Sequence, residues 1–141
     1  GILTDEDLAA VDQAALEWFV GTPLAVAIRR AGERYRREFQ FIAAESPAFF
    51  DPSVGPSRGD DVLVRGVVDG ILPGADGIDV IDFKTDAVRE EQLAERCAWY
   101  RPQMELYARA VSRLFRSDVR TCWLVFMSAR RSVALPATGL T

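Results

Sequence analysis

The chain has 141 residues, of which 49% are hydrophobic and 27% are charged, so it is long enough for one globular domain with a substantial core. Its formal net charge of -4 argues against a free-standing nucleic-acid binder, because phosphate contacts normally need a basic surface. It contains no histidine, which excludes Ser-His, Cys-His and His-metal chemistry supplied by this chain alone.

The ends of the sequence carry no targeting signal. No apolar run approaches the roughly 20 residues of a membrane-spanning helix, and no charged-then-apolar leader is present, so we expect a soluble cytoplasmic protein. The chain opens at Gly1 without an initiator methionine and closes at Thr141 in a loop-like sequence, so we expect a fragment of a longer protein. Cys97 and Cys122 lack Cys-x-x-Cys spacing, and we expect both to be small buried hydrophobic residues.

The first part of the chain predicts two helices and a strand. Thr4 and the acidic residues after it have the form of a helix start, and apolar spacing extends this helix from about residue 5 to residue 20. Gly21-Thr22-Pro23 ends it and starts a second helix, which stops near Gly32. Alternating residues predict a strand over 35–43, and the prolines of 45–60 indicate a long surface loop.

The second part begins with a hairpin. β-Branched residues predict strands over 61–72 and 78–84, joined by the turn Gly74-Ala75-Asp76-Gly77. The chain then becomes helical, with a short polar segment over 90–96 and a longer helix over 99–115.

The last elements complete a sheet. Residues 119–127 predict a strand buried on both faces, and 132–135 predict a short edge strand. This order of helices and strands predicts an α/β fold with three layers, in which helices flank a mixed central sheet.

Three residues of the hairpin have the composition of a cation and phosphate site. Asp82 and Lys84 are separated by one residue, so a strand projects both side chains to the same side. Asp69 lies across the hairpin and, like Asp82, interrupts an apolar run where an unpaired charge is costly. Two carboxylates and an ammonium group are the minimum set of functional groups that can hold a divalent cation beside a phosphate. The ordinary alternative is an ion pair on an exposed strand face.

The following helix strengthens the cation and phosphate hypothesis. Gln103 and Tyr107 lie four residues apart, on one face of the predicted helix, and Tyr100 lies one turn earlier. Tyr107 alone is typical of a core position, whereas Gln103 on the same stripe is a polar group that needs a partner.

Three segments together carry a family resemblance: G-V-V-D-G-I, then I-D-F-K-T-D, then Y-R-P-Q-M-E-L-Y-A. In this order they resemble the RecB-type nuclease module of the PD-(D/E)xK superfamily, and most closely the C-terminal nuclease domains of AddA helicase-nuclease subunits. The similarity runs from about residue 35 to residue 126. It implies a restriction-endonuclease-like nuclease core over 35–141, with an N-terminal helical segment, 1–34, packed on that core.

The resemblance also implies roles for individual residues. It makes two aspartates metal ligands, adds one main-chain carbonyl, and assigns a catalytic lysine and a helix motif that positions DNA or the lysine. In this sequence these are Asp69 and Asp82, the Phe83 carbonyl, Lys84, and Gln103 with Tyr107.

The sequence departs from the family pattern in two respects. Glu38 lies where such proteins often have an E-x-P-F segment, but Gln40 replaces the proline, so Glu38 is a secondary candidate and an exposed strand glutamate is the alternative. The family also carries a metal-binding histidine on an N-terminal helix. The resemblance places that helix upstream of Gly1.

The implied function is a Mg²⁺-dependent deoxyribonuclease, exonuclease or endonuclease, with Mn²⁺ as a substitute ion. Its substrate would be single-stranded DNA, and its context a bacterial helicase-nuclease for double-strand-break repair and recombination, nucleoid-associated in the cytoplasm. The expected partners are the rest of a helicase chain with the ATPase motor, since no Walker motif occurs here, and a second nuclease-helicase subunit. The alternative is an inactive module of the same fold that binds DNA or docks a partner subunit.

Two groups of residues outside these motifs are ambiguous. Five arginines could contact a DNA backbone, although solvated helix ends explain such a run equally well: Arg29, Arg30, Arg34, Arg36 and Arg37. The three tryptophans are expected to pack in the core rather than to stack on bases: Trp18, Trp99 and Trp123.

Overall fold

The structure is a computed structural model that describes residues 13–55 and 60–137. The helices are α1 (Gln13–Val20), α2 (Pro23–Ala31), α3 (Pro47–Phe50) and α4 (Leu93–Phe115). The strands are β1 (Arg36–Glu45), β2 (Val62–Gly74), β3 (Gly77–Lys84), β4 (Val119–Phe126) and β5 (Arg131–Pro136). Residues 5–12 of the first predicted helix lie outside the described residues. No helix in the described ranges has the length and apolar character needed to cross a membrane.

The five strands form one mixed sheet in the order β1-β2-β3-β4-β5. Three of the four neighbouring pairs are antiparallel, whereas β3 and β4 are parallel. A parallel pair needs a crossover connection, and α4 supplies it between β3 and β4. The predicted mixed sheet is therefore confirmed.

Helices cover both faces of this sheet. On one face α4 buries Met104 and Val111 against strand residues such as Val68 and Leu124. On the other face the residues of α1 and α2, including Leu24, pack in a second cluster with sheet residues such as Ile81 and Val125. The two apolar clusters make a three-layer α/β/α arrangement, as the sequence predicted.

The ends of α2 and the β2–β3 turn follow the local chemistry. The Thr22 side chain accepts a hydrogen bond from the Ala25 amide at 3.2 Å, Pro23 occupies the first turn, and Gly32 ends the helix with a φ of 56°. Gly77 closes the hairpin with a φ of 135°, and a Cβ there would lie 2.7 Å from the Asp118 carbonyl oxygen. Only glycine fits that turn.

The long helix begins earlier than predicted, because α4 is continuous from Leu93 to Phe115 and contains Pro102. Pro102 is exposed and removes one helical hydrogen bond, while Met104 and Ala108 are completely buried against the sheet. Tertiary packing therefore holds the helix together across the proline. The short α3 lies within the predicted loop.

The predictions for buried strand, cysteine and tryptophan residues were right only in part. β4 is buried from Leu124 onwards, but Arg120 near its start is exposed. Cys122 is fully buried, whereas Cys97 is only partly buried beside the same core. Trp18 and Trp123 pack against the second core cluster. Trp99 is 75% exposed, so the prediction that it packs in the core was wrong.

Glu45 at the end of β1 ties that strand to α4. Its carboxylate is buried and accepts hydrogen bonds from Arg109 at 3.2 and 3.0 Å and from Arg113 at 2.8 Å. The Arg109 guanidinium also lies 4.9 Å from the centre of the Phe49 ring in α3. A single buried charge thus connects a strand end, a short helix and the long helix.

We expect Glu45→Ala to lower the free energy of unfolding by about 2 kcal/mol, because it leaves two guanidinium groups without their shared carboxylate. Chemical denaturation of the two proteins measures the difference. Glu91→Ala is the matched control: its pair with Arg89 is largely exposed, and an exposed pair contributes about 0–1 kcal/mol. Equal losses in both variants would contradict a special contribution from the buried cluster.

Candidate active site

The two aspartates singled out by the sequence lie side by side on β2 and β3. Gly70 pairs with Ile81, and continuing this antiparallel register by one residue sets Asp69 level with Asp82. Asp82 is completely buried, and Asp69 is 8% exposed. The Phe83 amide donates to Asp69 Oδ2 at 2.9 Å. The strand period of two residues turns both carboxylates to the same face of the sheet.

Burial and mutual repulsion both disfavour the charged form of Asp69 beside Asp82. Burial, followed by the charge of Asp82 and the hydrogen bond between the two carboxyl groups, raises the pKa of Asp69 to about 7. The hydrogen bond from the Phe83 amide acts in the opposite direction. A divalent cation between the carboxylates would remove the repulsion that opposes ionisation of Asp69.

Lys84 and the α4 motif form a connected row beside the aspartates. Lys84 Nζ lies 2.5 Å from Asp82 Oδ2 and donates to Gln103 Oε1 at 2.8 Å. Gln103 Nε2 in turn donates to the Tyr107 hydroxyl at 3.1 Å. Because the Lys84 side chain is only 11% exposed, its ammonium group is held in one place rather than free in solvent. The structure thus brings together the five side chains that the sequence proposed as a site.

Tyr107 and Tyr100 shape the wall around Lys84. Burial, followed by the charges of Asp82 and Asp69, raises the pKa of Tyr107 to about 12, so its hydroxyl keeps its proton. Lys84 Nζ lies 3.8 Å from the centre of the Tyr100 ring, within the range of a cation–π contact. Sequence reasoning noted the helical spacing of Tyr100 but gave it no role, since contact with Lys84 depends on how α4 crosses the sheet.

Phe83 and Glu38 occupy the border of the site. The Phe83 ring packs edge-on against Phe19 of α1, with ring centres 5.2 Å apart, which anchors the main chain next to Asp82. Glu38 lies between residues of β1 that pair with Gly70 and Val68, so its backbone is level with Asp69. It has a φ of 51° and an exposed side chain, whereas the two aspartates are buried.

The donor set fits a small hard cation. The described residues contain no group of three or more Asp, Glu, His or Cys side chains arranged to hold a metal ion. Mg²⁺ is commonly bound through one or two carboxylates together with substrate phosphate and water, so Asp69, Asp82 and a neighbouring carbonyl are suitable ligands. A cation at these oxygens would oppose the burial and like-charge repulsion that raise the pKa of Asp69.

Other polar clusters lie outside this row. Asp79, also on β3, is buried and accepts hydrogen bonds from Arg120 at 3.1 and 3.2 Å and from Trp123 Nε1 at 3.1 Å. Strand alternation could not identify Asp79 as structural, because its partners come from the parallel strand β4. Two of the ambiguous arginines, Arg30 and Arg34, line a cleft with Asp79 rather than the Asp82 site.

The burial of Asp69 beside the charge of Asp82 predicts a pH-dependent stability in EDTA. Since the pKa of Asp69 is raised from 3.8 to about 7, its contribution to stability is fully present below pH 3.8 and is lost as the pH rises through about 7. Asp69→Asn keeps an oxygen that accepts from Phe83 and has no such loss. We expect the melting temperature of this variant relative to the parent to rise by about 2–6 °C between about pH 5 and about pH 8.

Differential scanning fluorimetry across this range tests the expectation. Asp76→Asn, in the exposed hairpin turn, serves as the control and should follow the parent protein. An Asp69→Asn difference that stays constant with pH would contradict the raised pKa of Asp69.

Comparison with known proteins places this chain in a family. A model of the PD-(D/E)XK nuclease superfamily matches residues 3–134 of the chain. A curated relative from Moorella thermoacetica, named as an ATP-dependent helicase/nuclease subunit, is 33% identical over 128 residues, which are 89% of this chain and 9% of the relative. The protein of the same name from Carboxydothermus hydrogenoformans is 34% identical over 134 residues, which are 94% of this chain and 11% of the relative.

The chain therefore spans about a tenth of the length of these curated relatives. A solved structure described as the crystal structure of SSO0001 matches with a TM-score of 0.48 and 16% identity, over 87% of this chain and 55% of that one. The family model covers nearly the whole chain, including Asp69, Asp82, Lys84, Gln103 and Tyr107. The relatives are named as helicase/nuclease subunits, as the three motifs predicted. The chain belongs to the PD-(D/E)XK nuclease superfamily.

Proposed function

We propose that this chain is a metal-dependent deoxyribonuclease module that hydrolyses phosphodiester bonds in single-stranded DNA. Asp69 and Asp82, with the Phe83 main-chain carbonyl, would hold Mg²⁺, and Mn²⁺ would substitute for it. The observation that carries the proposal is the fixed position of Lys84 Nζ, 2.8 Å from Gln103 Oε1 and beside the paired aspartates. A merely structural ion pair on an exposed face does not require this second anchor.

The wider context is part of the proposal. The relatives are named as helicase/nuclease subunits and are about ten times longer than this chain, so the ATPase motor would lie in other parts of such a protein. The proposal also includes a second nuclease-helicase subunit, which the name 'subunit' of the relatives supports, and a role in double-strand-break repair and recombination. The net charge of -4 supports delivery of the strand by a motor, since the module has little electrostatic attraction for DNA of its own.

The chain's own residues provide positioning and charge. When bound, the cation would act as a Lewis acid and lower the pKa of a coordinated water. Lys84 offers a fixed positive charge that can orient the attacking water or offset negative charge developing on the phosphate. Gln103 holds the ammonium group through its carbonyl oxygen, and Tyr107 fixes which way the Gln103 amide points. No covalent bond between protein and DNA is required.

We expect Asp82→Asn to reduce Mg²⁺-dependent cleavage of a labelled single-stranded oligonucleotide by at least about 100-fold, because it removes one charge of the carboxylate pair. Asp79→Asn is a closely matched control, since Asp79 is also a buried aspartate on β3 but binds Arg120 and Trp123. Below its melting temperature, the control variant should cleave at a rate within about twofold of the parent.

The assay should be run on this chain and on a longer chain that carries the N-terminal helix and metal-binding histidine expected from the family pattern. Absence of metal-dependent cleavage in both would contradict the nuclease proposal and favour an inactive DNA-binding or docking module. Equal losses in Asp82→Asn and Asp79→Asn would assign the effect to folding.

The hydrogen bonds from Lys84 through Gln103 to Tyr107 predict a larger loss of kcat for a change at Gln103 than for a change at Tyr107. Gln103→Ala removes the anchor of the ammonium group, and we expect kcat to fall about 10–100-fold with little change in KM. Tyr107→Phe leaves the Gln103 amide oxygen in reach of Lys84, so its effect should be smaller, about 3–10-fold. Steady-state kinetics measure both. Glu105→Ala, whose side chain pairs with Arg101 on the same helix, is the control, and a similar fall there would contradict a specific role for Gln103.

A further inference from the structure

Trp99 is the most exposed of the large hydrophobic side chains among the described residues, at 75%. A single exposed apolar residue is ordinary on protein surfaces and needs no explanation by itself. What distinguishes Trp99 is its place on α4. It precedes Tyr100, whose ring contacts Lys84 Nζ at 3.8 Å. Trp99 is therefore adjacent in sequence to Tyr100, which forms part of the wall of the candidate active site.

A short series of contacts connects Lys84 with the Trp99 surface. Asp86 lies next to Tyr100, and after burial its charge is the largest cause of the raised pKa of that tyrosine. Arg96 Nε lies 3.6 Å from Asp86 Oδ2. Arg96 is thus part of the stripe that leads to Tyr100 and Gln103, and it also borders Trp99.

The surface next to Trp99 is a groove of 260 Å³ lined by Gln92, Glu95, Arg96 and Trp99. Glu95 and Trp99 lie one turn apart at the start of α4 with Arg96 beside them, and Gln92 directly precedes the helix. The groove holds one carboxylate, and its arginine is already engaged by Asp86. A phosphate group would meet the charge of Glu95 there, whereas the uncharged face of a base would not.

We propose that Trp99 stacks against an unpaired base of single-stranded DNA, next to the phosphate that lies at Lys84. This inference rests on the proposed nuclease function, and it adds a substrate-binding residue and a reason for strand selection. In a duplex the faces of each base are covered by its neighbours, so the indole can reach a base face only when the strand is unpaired or the base is displaced. A single strand presents such a face at every nucleotide.

The test is equilibrium binding of a fluorescently labelled single-stranded oligonucleotide in EDTA, measured by anisotropy, so that no cleavage is needed. Loss of one base-stacking contact corresponds to a weakening of about 5–150-fold, which we expect for Trp99→Ala. Trp99→Phe keeps an aromatic face and should recover most of the affinity. Leu114→Ala, an exposed position at the far end of the same helix, is the control and should bind as the parent does.

A second arm identifies the base as the partner. An oligonucleotide with one abasic residue, moved along the strand, should bind the parent more weakly at one position and should not weaken Trp99→Ala further. In cleavage assays, Trp99→Ala should raise KM for single strands with kcat nearly unchanged. Unchanged binding by Trp99→Ala, failure of Trp99→Phe to recover affinity, or absence of single-strand binding by the parent would overturn the proposal.

These outcomes are separate from those for the nuclease activity. If Asp82→Asn fails to reduce cleavage while Trp99→Ala weakens binding, the proposed catalytic site is wrong and the stacking contact stands. If Asp82→Asn abolishes cleavage while Trp99→Ala binds normally, the nuclease stands and the stacking contact is wrong.

Discussion

The placement of two aspartates on neighbouring strands is the constraint on which the rest of the site depends. Asp69 and Asp82 are both buried, and burial together with the neighbouring charge of Asp82 raises the pKa of Asp69 to about 7. A fold selected only for stability would avoid such a pair, because burial and like-charge repulsion act in the same direction. The Phe83 amide and the Lys84 ammonium group offset part of this effect. The remaining repulsion would favour a divalent cation, so in the proposed function a local loss of stability would be coupled to metal binding.

The fold keeps these groups in position by giving each one a separate support. The β2–β3 register sets the aspartates level, and the β3–α4–β4 crossover carries Gln103 over the end of β3 to meet Lys84. The apolar residues of α4 bury against the sheet, so the helix cannot rotate without breaking the core. Behind the strand, the edge-on contact of Phe83 with Phe19 fixes the main chain between Asp82 and Lys84. Both layers of helices therefore act on the same few residues.

The parts of the site that depend on local periodicity could be predicted from the sequence. Alternation along a strand placed Asp82 and Lys84 on one side, and the three segments in order identified the family. The sequence could not predict contacts that depend on how a helix crosses the sheet, such as that between Tyr100 and Lys84 or the pairing of Glu45 with arginines of α4. The exposure of Trp99 could not be predicted for the same reason. An aromatic residue on an amphipathic helix is usually core, and only the rotation of α4 about its axis decides otherwise.

The charge of the module bears on how it could engage DNA at all. With a net charge of -4 and two carboxylates at its centre, the chain gains little from the electrostatic attraction that gives most nucleic-acid binders their affinity. An aromatic contact does not depend on net charge and is weakened much less by salt than a phosphate contact. An exposed tryptophan beside the site would therefore supply attraction that does not depend on the net charge of the module. It would act where a base face is not covered by neighbouring bases.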